Sequence, residues 1–413
     1  MTTEKTKNEP LFHVSKRDHM SHKNVLLVRL AGILVALVIC GIMSVILIHE
    51  NPFKIYATLV KGAFIDVWTL MKDTAVLLMF GLAVIPAFKM KFWNMGANGQ
   101  VLVGCLVAIA CMKFLTGVLP DAVIIILMIV TSILAGIIWA VIPAIFKAFF
   151  GTNETLFTLM MNYIAIGIVA YFSFAWDKSG SGNIGIVNLL THKAWFPDIG
   201  NKYVLIIIVA LLVDAFMFVY MRYTKHGFET ALVGDSVNTA KYVGINVKKV
   251  IIRTLVLSGA ICGIMGAIFA GSLEHTVNTQ ICGSKGFTAI LVAWLANFDP
   301  LIMIATAFFV VFLNTGAANV STVFQLKSTD YANIVIGIIF FCVIGSEFFI
   351  QYRIKPSQRM KDIMTKKNGA SIKELFFTSK SRSAVKPLIV ILAIGLELLI
   401  IAVIATIVIK TVV

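Results

Sequence analysis

Residues 92–100 read Phe-Trp-Asn-Met-Gly-Ala-Asn-Gly-Gln, a polar, glycine-broken patch between apolar runs at 75–88 and 101–110. Amide side chains both donate and accept, and glycine lets backbone groups face a cavity. That chemistry suits a neutral solute bearing hydroxyls or amides, and it makes Asn94, Asn98 and Gln100 candidate pathway residues. A second set, Glu154, Thr158 and Asn162, is spaced by four and so lies along one helix face. Asn162 is the deeper pathway candidate; Glu154, near the start of its run, reads as structural or gating. The third stretch, residues 234–245, reads Gly-Asp-Ser-Val-Asn-Thr-Ala-Lys-Tyr-Val-Gly-Ile. Asp235 or Ser236 can start a short helix there and Gly244 can end it, which gives a small docking element for a soluble partner.

None of these sets is catalytic. The six cysteines have no metal-ligand spacing and, Cys282 apart, lie within apolar runs, as small packing residues do. The seven histidines make no zinc-hydrolase pair, and no Gly-x-x-x-x-Gly-Lys-Ser/Thr loop occurs, so ATP is not held here by a P-loop. Neither cofactor nor metal is expected in this chain, and it reads as a non-enzyme. Asp214, near the middle of an apolar run, is the one acid that would suit an ion-coupled carrier, although a buried hydrogen bond would also explain it.

Such residues need elements to hold them, and composition says which. Of the 413 residues, 59% are hydrophobic and only 13% charged, with a mean hydropathy of +0.94. A soluble protein carries far more charge, so the chain reads as an all-α, polytopic membrane protein. The net charge of +15 sits in segments between spans, which encodes orientation and does not call for nucleic acid. Apolar runs begin near residues 30, 72, 97, 122, 155, 203, 250, 332 and 387. A basic start at 1–29 places the N-terminus inside, and the lysines at 89, 91 and 147 and the basic stretch 222–253 fall inside in turn. The Gly/Ser/Asn-rich segment 176–201 falls outside.

Parity decides one ambiguous stretch. The basic segment after the span at 332–350 is inside only if residues 286–313 enter and return, which predicts two short helices turning at Asp299-Pro300. Pro300 suits the first position of the second helix, capped by Asn297 or Asp299. The expected total is ten to eleven membrane helices: a membrane domain at 30–350, a basic surface segment at 351–386 and an additional span at 387–413. Within span seven, Ser258, Gly259, Gly263 and Gly266 form a small-residue stripe for close helix packing.

Four stretches, in order, resemble the permease subunits of bacterial ABC importers of the nucleoside and simple-sugar type, which are related to branched-chain amino-acid permeases. Trp93 to Gln100 is similar to that family's Phe-Asn-Ile-Gly-Ala-Glu-Gly-Gln, with Asn98 where the family usually has Glu. Asn153-Glu154 followed by Met161-Asn162-Tyr163-Ile164 looks like its Asn-Glu…Leu-Asn-Tyr-Ile element. Residues 234–245 resemble its coupling segment, with Ser236-Val237 replacing Asn-Pro, and residues 286–293 followed by Asp299-Pro300 resemble its Gly-Phe-x-x-Ile-x-Val-Ala…Asn-Pro.

The resemblance implies a multi-pass permease of the bacterial cytoplasmic membrane that translocates nucleosides or related sugars. ATP would be held by cytoplasmic ABC ATPase subunits, a second permease chain (the same or a different one) would complete the pore, and an extracellular substrate-binding lipoprotein would deliver solute. Gly234, Asp235, Ala240, Tyr242 and Gly244, within the coupling segment 226–249, would seat on the ATPase. The rival reading is a secondary transporter driven by an ion gradient, with Asp214 as its carboxylate.

Overall fold

The structure, a computed structural model, describes residues 12–17, 21–177, 183–326 and 331–356. The span expected at 387–413 and nearly all of the basic segment expected at 351–386 lie outside the described residues. In chain order come β1 (Phe12–Lys16), α1 (His22–Ile48), α2 (Pro52–Ala63), α3 (Val67–Lys89), α4 (Ala97–Leu115) and α5 (Asp121–Phe150). Next are α6 (Glu154–Trp176), α7 (Val204–Tyr223), α8 (Lys225–Asp235), α9 (Val237–Tyr242) and α10 (Val247–Ile268, prolonged by a π-helical turn to Leu273). The last are α11 (Lys285–Leu295), α12 (Pro300–Val323), α13 (Tyr331–Gln351) and β2 (Tyr352–Pro356). Among the described residues nine helices are long and apolar enough to span a membrane, and α11 is a shorter apolar helix.

Local sequence sets several boundaries. Asp66 caps α3 by accepting from the Thr69 amide at 3.1 Å, Asn153 caps α6 through Leu156 N at 3.2 Å, and Asn246 caps α10 through Lys249 N at 3.2 Å. Gly151, at φ +67°, ends α5 in the left-handed conformation that glycine adopts without a Cβ penalty.

The described residues divide into two compact units, one within 63–312 and the other drawn from the segments that flank it, before residue 63 and after residue 312. In the larger unit α10 packs along α5 and α4. Ser132 Oγ donates to Gly263 O at 2.7 Å, and a Cβ on Gly263 would meet the Ile133 Cα and Ser132 O at 2.5 Å. Gly259 is pressed in the same way against Gly136 of α5, and Gly266 against the backbone of Gly104 and Cys105 in α4. The expected stripe is therefore what lets three backbones approach. In the other unit α1 and α13 run antiparallel, joined by Arg29–Glu347 at 3.0 Å near one end and Ser44–Tyr331 at 2.7 Å near the other. Beyond them β1 pairs antiparallel with β2, Phe12 opposite Pro356 and Lys16 opposite Tyr352. Neither α2 nor this strand pair is anticipated by the hydropathy pattern.

The turn at 296–299 is where parity requires one. Asn297 and Phe298 have φ of +54° and +57°, Asp299 Oδ1 accepts from Leu301 N at 3.0 Å, and Pro300 opens α12. One expectation changes: the second helix of the pair is a full span of 24 residues, and only α11 is short. Among the described residues, counting the stretch 274–295 that contains α11 as one passage beside the nine long helices gives ten from α1 to α13, an even number. That agrees with β1 and β2 pairing on one side of the membrane.

Candidate substrate pathway and coupling segment

Between α3 and α4 the chain is irregular from Phe92 to Gly96, and side chains from three helices hold it. Asn94 is fully buried; its Nδ2 donates to Ser258 Oγ of α10 at 3.1 Å, while its Oδ1 accepts from Gly96 N at 3.0 Å and Gln100 Nε2 at 3.3 Å. From α6, Thr158 Oγ1 accepts from Met95 N at 3.1 Å. Asn162 Oδ1 accepts from Gly99 N at 2.7 Å, and its Nδ2 donates to Met95 O. The spacing of four thus brings Thr158 and Asn162 onto one face, as expected, and that face grips the break. Glu154, one turn earlier, pairs with Lys147 at 2.6 Å.

These polar groups sit within the span region. Asn162 lies eight residues into α6, about 12 Å along its axis, and Ser258 eleven residues into α10, about 17 Å. Asn94, Gln100 and Asn162 are at most 5% exposed, and the bonds above join them to protein; only the Gln100 Oε1 is buried without a partner. Asn98 faces elsewhere. Its Oδ1 accepts from Gly286 N at 3.0 Å and its Nδ2 donates to Gly283 O at 3.2 Å, so it caps α11 from another helix.

That bond fixes the depth at which α11 begins. The preceding segment, residues 274–284, leaves the outer loop at His275, whose ring stacks on Trp195 at 3.6 Å, while Trp195 also meets His192 at 4.2 Å. The segment then descends: Cys105 Sγ donates to Thr276 O at 3.7 Å, Ser173 Oγ to Val277 O at 3.4 Å, and Cys282 Sγ to Asn98 O at 3.8 Å. From there α11 runs toward the cytoplasmic end of α3, where Trp294 meets Trp93 at 5.7 Å and Phe298 stacks on Phe88 at 6.2 Å. Gln280, Gly283 and Ser284 are exposed at this depth, and Lys285 lies 3.9 Å from Asp73, itself 3.3 Å from Lys72. Non-helical backbone at membrane depth is tolerated where it is buried in protein or lines water. Sequence reasoning passed over this set because polar residues after a span read as an outer loop; the signal available was Lys72-Asp73 inside an apolar helix.

At the cytoplasmic ends, α8 and α9 lie between α7 and α10. Ser236 Oγ accepts from Thr239 N at 3.2 Å and Gly244 has φ +84°, so α9 starts and stops where the sequence predicts, while α8 is additional. Gly234 lies against the Lys89 carbonyl so closely that a Cβ would collide with it, and Ala240 is fully buried with Met90, Phe92 and Val250. Asp235 and Gly244 are exposed, and Tyr242 is 95% exposed. Arg253 of α10 ties α8 down through Glu229 at 2.9 Å. Burial alone would raise the Glu229 carboxyl, but hydrogen bonding to Arg253 and the charges of Arg253 and Lys225 outweigh it and hold the group low.

The family described as branched-chain amino acid transport system / permease component matches residues 67–344, the stretch that holds the break, the descending segment and the coupling helices. The chain belongs to this permease family. The permease is 29% identical over 330 residues to the guanosine ABC transporter permease protein NupP of Bacillus subtilis (strain 168), covering 78% of this chain and 93% of that one. It is 25% identical over 349 residues to the nucleoside ABC transporter permease protein NupB of Lactococcus lactis subsp. cremoris, covering 80% and 93%. To the glucose ABC transporter permease protein TsgB13 of Haloferax volcanii it is 24% identical over 337 residues, covering 78% and 88%. No solved structure matches it. The reading as an ABC transporter permease subunit, multi-pass in the cell membrane, stands on these matches and on the spans.

Proposed function

We propose that this permease imports nucleosides, and that the outward part of its path runs along the descending segment and the start of α11. The observation that carries this is the irregular, polar stretch 274–284 within the span region, which exposes Glu274, Gln280, Gly283 and Ser284 and ends on a helix start held by Asn98. Gln280 and Ser284 offer amide and hydroxyl partners for a sugar at the start of α11. Further along the path, at its cytoplasmic end, Trp93 and Trp294, 37% and 44% exposed, offer aromatic faces for a base as the solute passes. Asn94, Gln100 and Asn162 act behind this surface by holding the α3–α4 break in shape, with Glu154 fixing the start of α6. The guanosine and nucleoside relatives support the base-bearing class over plain sugars.

Import is driven by ATP on cytoplasmic ABC ATPase subunits, with a second permease chain completing the pore and an extracellular binding lipoprotein delivering solute. In this reading Asp235, Tyr242 and Gly244 meet the ATPase, while Gly234 and Ala240 anchor α8 and α9 to the membrane helices. Nucleotide-driven motion of the ATPase changes its contact with this surface, and only such a differential contact can shift the permease between outward- and inward-facing states.

The test is ATP-dependent uptake of radiolabelled guanosine in proteoliposomes holding the permease with a cognate ABC ATPase and substrate-binding protein from the same organism. Uptake that needs ATP, and that Tyr242→Arg abolishes together with ATPase copurification while the variant still folds, is the expected result. Guanosine uptake without ATPase, driven by an ion gradient, would overturn the energy source; ATP-driven uptake of glucose but not guanosine would overturn the substrate class.

A further inference from the structure

At the cytoplasmic ends of α5 and α10 lies a cleft of ≈ 450 Å³ lined by Phe149, Asn246, Lys248, Lys249, Ile252 and Arg253. No acid is among these residues, and the first turn of α10 carries none. Arg253 is already paired with Glu229 at 2.9 Å, which leaves Lys248 and Lys249 as the charges that face the cleft unneutralised. Lys248 Nζ lies over the Phe149 ring, 4.6 Å from its centroid. The other wall is apolar, Phe149 and Ile252, and Phe149 is turned outward at 57% exposed, followed in the chain by Phe150 at 73%. An exposed aromatic lip beside paired lysines, at the inner end of two spans, is amphipathic in the sense that a phospholipid is.

We propose that this cleft binds the headgroup of an anionic phospholipid of the inner leaflet, its phosphate on Lys248 and Lys249 and its upper acyl carbons along Phe149 and Ile252. Basic pockets between membrane helices on the cytoplasmic side take such headgroups, and each lysine near the surface adds to the attraction. The coupling role of α8 and α9 does not require it. A soluble phosphate shares the headgroup chemistry, but it would leave the aromatic lip unused.

The experiment uses the full chain in nanodiscs of phosphatidylcholine with increasing phosphatidylglycerol, bound lipid being counted by native mass spectrometry after release into detergent. Preferential retention of phosphatidylglycerol is expected, reduced about 30-fold in apparent affinity by Lys248→Gln with Lys249→Gln, at the usual contribution of two surface lysines. The control pair Lys225→Gln with Lys241→Gln makes the same change in net charge on the same face and leaves retention unchanged. Phe149→Ala weakens lipid retention as well, and millimolar inorganic phosphate does not compete. No lipid preference in the wild type, or equal losses in both lysine pairs, overturns the proposal. Competition by phosphate as strong as that by lipid, with Phe149→Ala silent, overturns the lipid as occupant. Gel filtration and thermal unfolding of each variant separate lost binding from lost fold.

Discussion

Asn98→Ala removes the two bonds by which α4 holds the start of α11. The two losses are unequal. Gly283 is exposed, so water can replace Asn98 at its carbonyl at little cost. Gly286 is buried, and its amide has Asn98 Oδ1 as partner at 3.0 Å. Stranding such a donor costs about 1–3 kcal/mol. Taking about 2 kcal/mol, the first turn of α11 should open about 30-fold more often. Hydrogen–deuterium exchange of peptides spanning residues 285–295 reads that opening directly, with the α5–α10 pair as internal reference. Asn98→Asp keeps the acceptor at a helix start that favours negative charge, but loses the donor, so its exchange should fall between wild type and alanine. Exchange within threefold of wild type in Asn98→Ala, less than about 0.7 kcal/mol, would refute the claim that this side chain holds the helix at its depth.

Gly263→Ala forces a methyl to within 2.5 Å of backbone atoms of Ile133 and Ser132, so it should cost about 1–3 kcal/mol in thermal unfolding. Gly167→Ala, with nothing within 4 Å, should be neutral or stabilise by up to about 1 kcal/mol; equal effects would sink the packing account. Asp214 is 2% exposed with its Oδ1 unpartnered, so Asp214→Asn should unfold at the same or a higher temperature and transport normally. Lost uptake in that variant with an intact fold would point to ion coupling. Burial pushes the His275 imidazole below its ordinary value of 6.5, against the opposing pull of Asp198 and the Ala270 backbone, while His192 and Lys202 reinforce the lowering. The folded state therefore favours the neutral ring, and its contribution is complete above pH 6.5 and is lost as pH falls through the lowered folded value. His275→Phe keeps a ring on Trp195 and should flatten the fall in thermal stability as pH drops below 6.5; an unchanged slope would place the acid sensitivity elsewhere.

Hydropathy and charge made the spans legible, and parity located the return at Asp299-Pro300, because burial in lipid constrains composition strongly. The four-residue spacing of Glu154, Thr158 and Asn162 and the glycines of α10 were legible for the same reason: a helix fixes which side chains share a face. What hydropathy could not show is the descent of residues 274–284, since a polar segment outside the membrane and one lining a cavity within it have the same composition. It also could not say that Asn98 bonds to Gly286, 188 residues away, or that Ser258 receives Asn94, 164 residues away. Those pairings are decided by packing. The strand pair escaped for a further reason, because among the described residues each strand pairs with a segment about 340 residues away.

That pairing of segments distant in the chain has a consequence for synthesis. Arg29 and Glu347 are 318 residues apart in sequence. At about 5–20 residues per second, α1 waits in the bilayer for roughly 15 to 60 s before α13 has been made. Throughout that interval the Arg29 guanidinium, the Ser44 hydroxyl and the surface around Gly32 lack the groups they later meet. Of the described helices, the earliest made thus gains its α13 partners only late in synthesis, and quality control during biogenesis would meet the molecule with that contact still open.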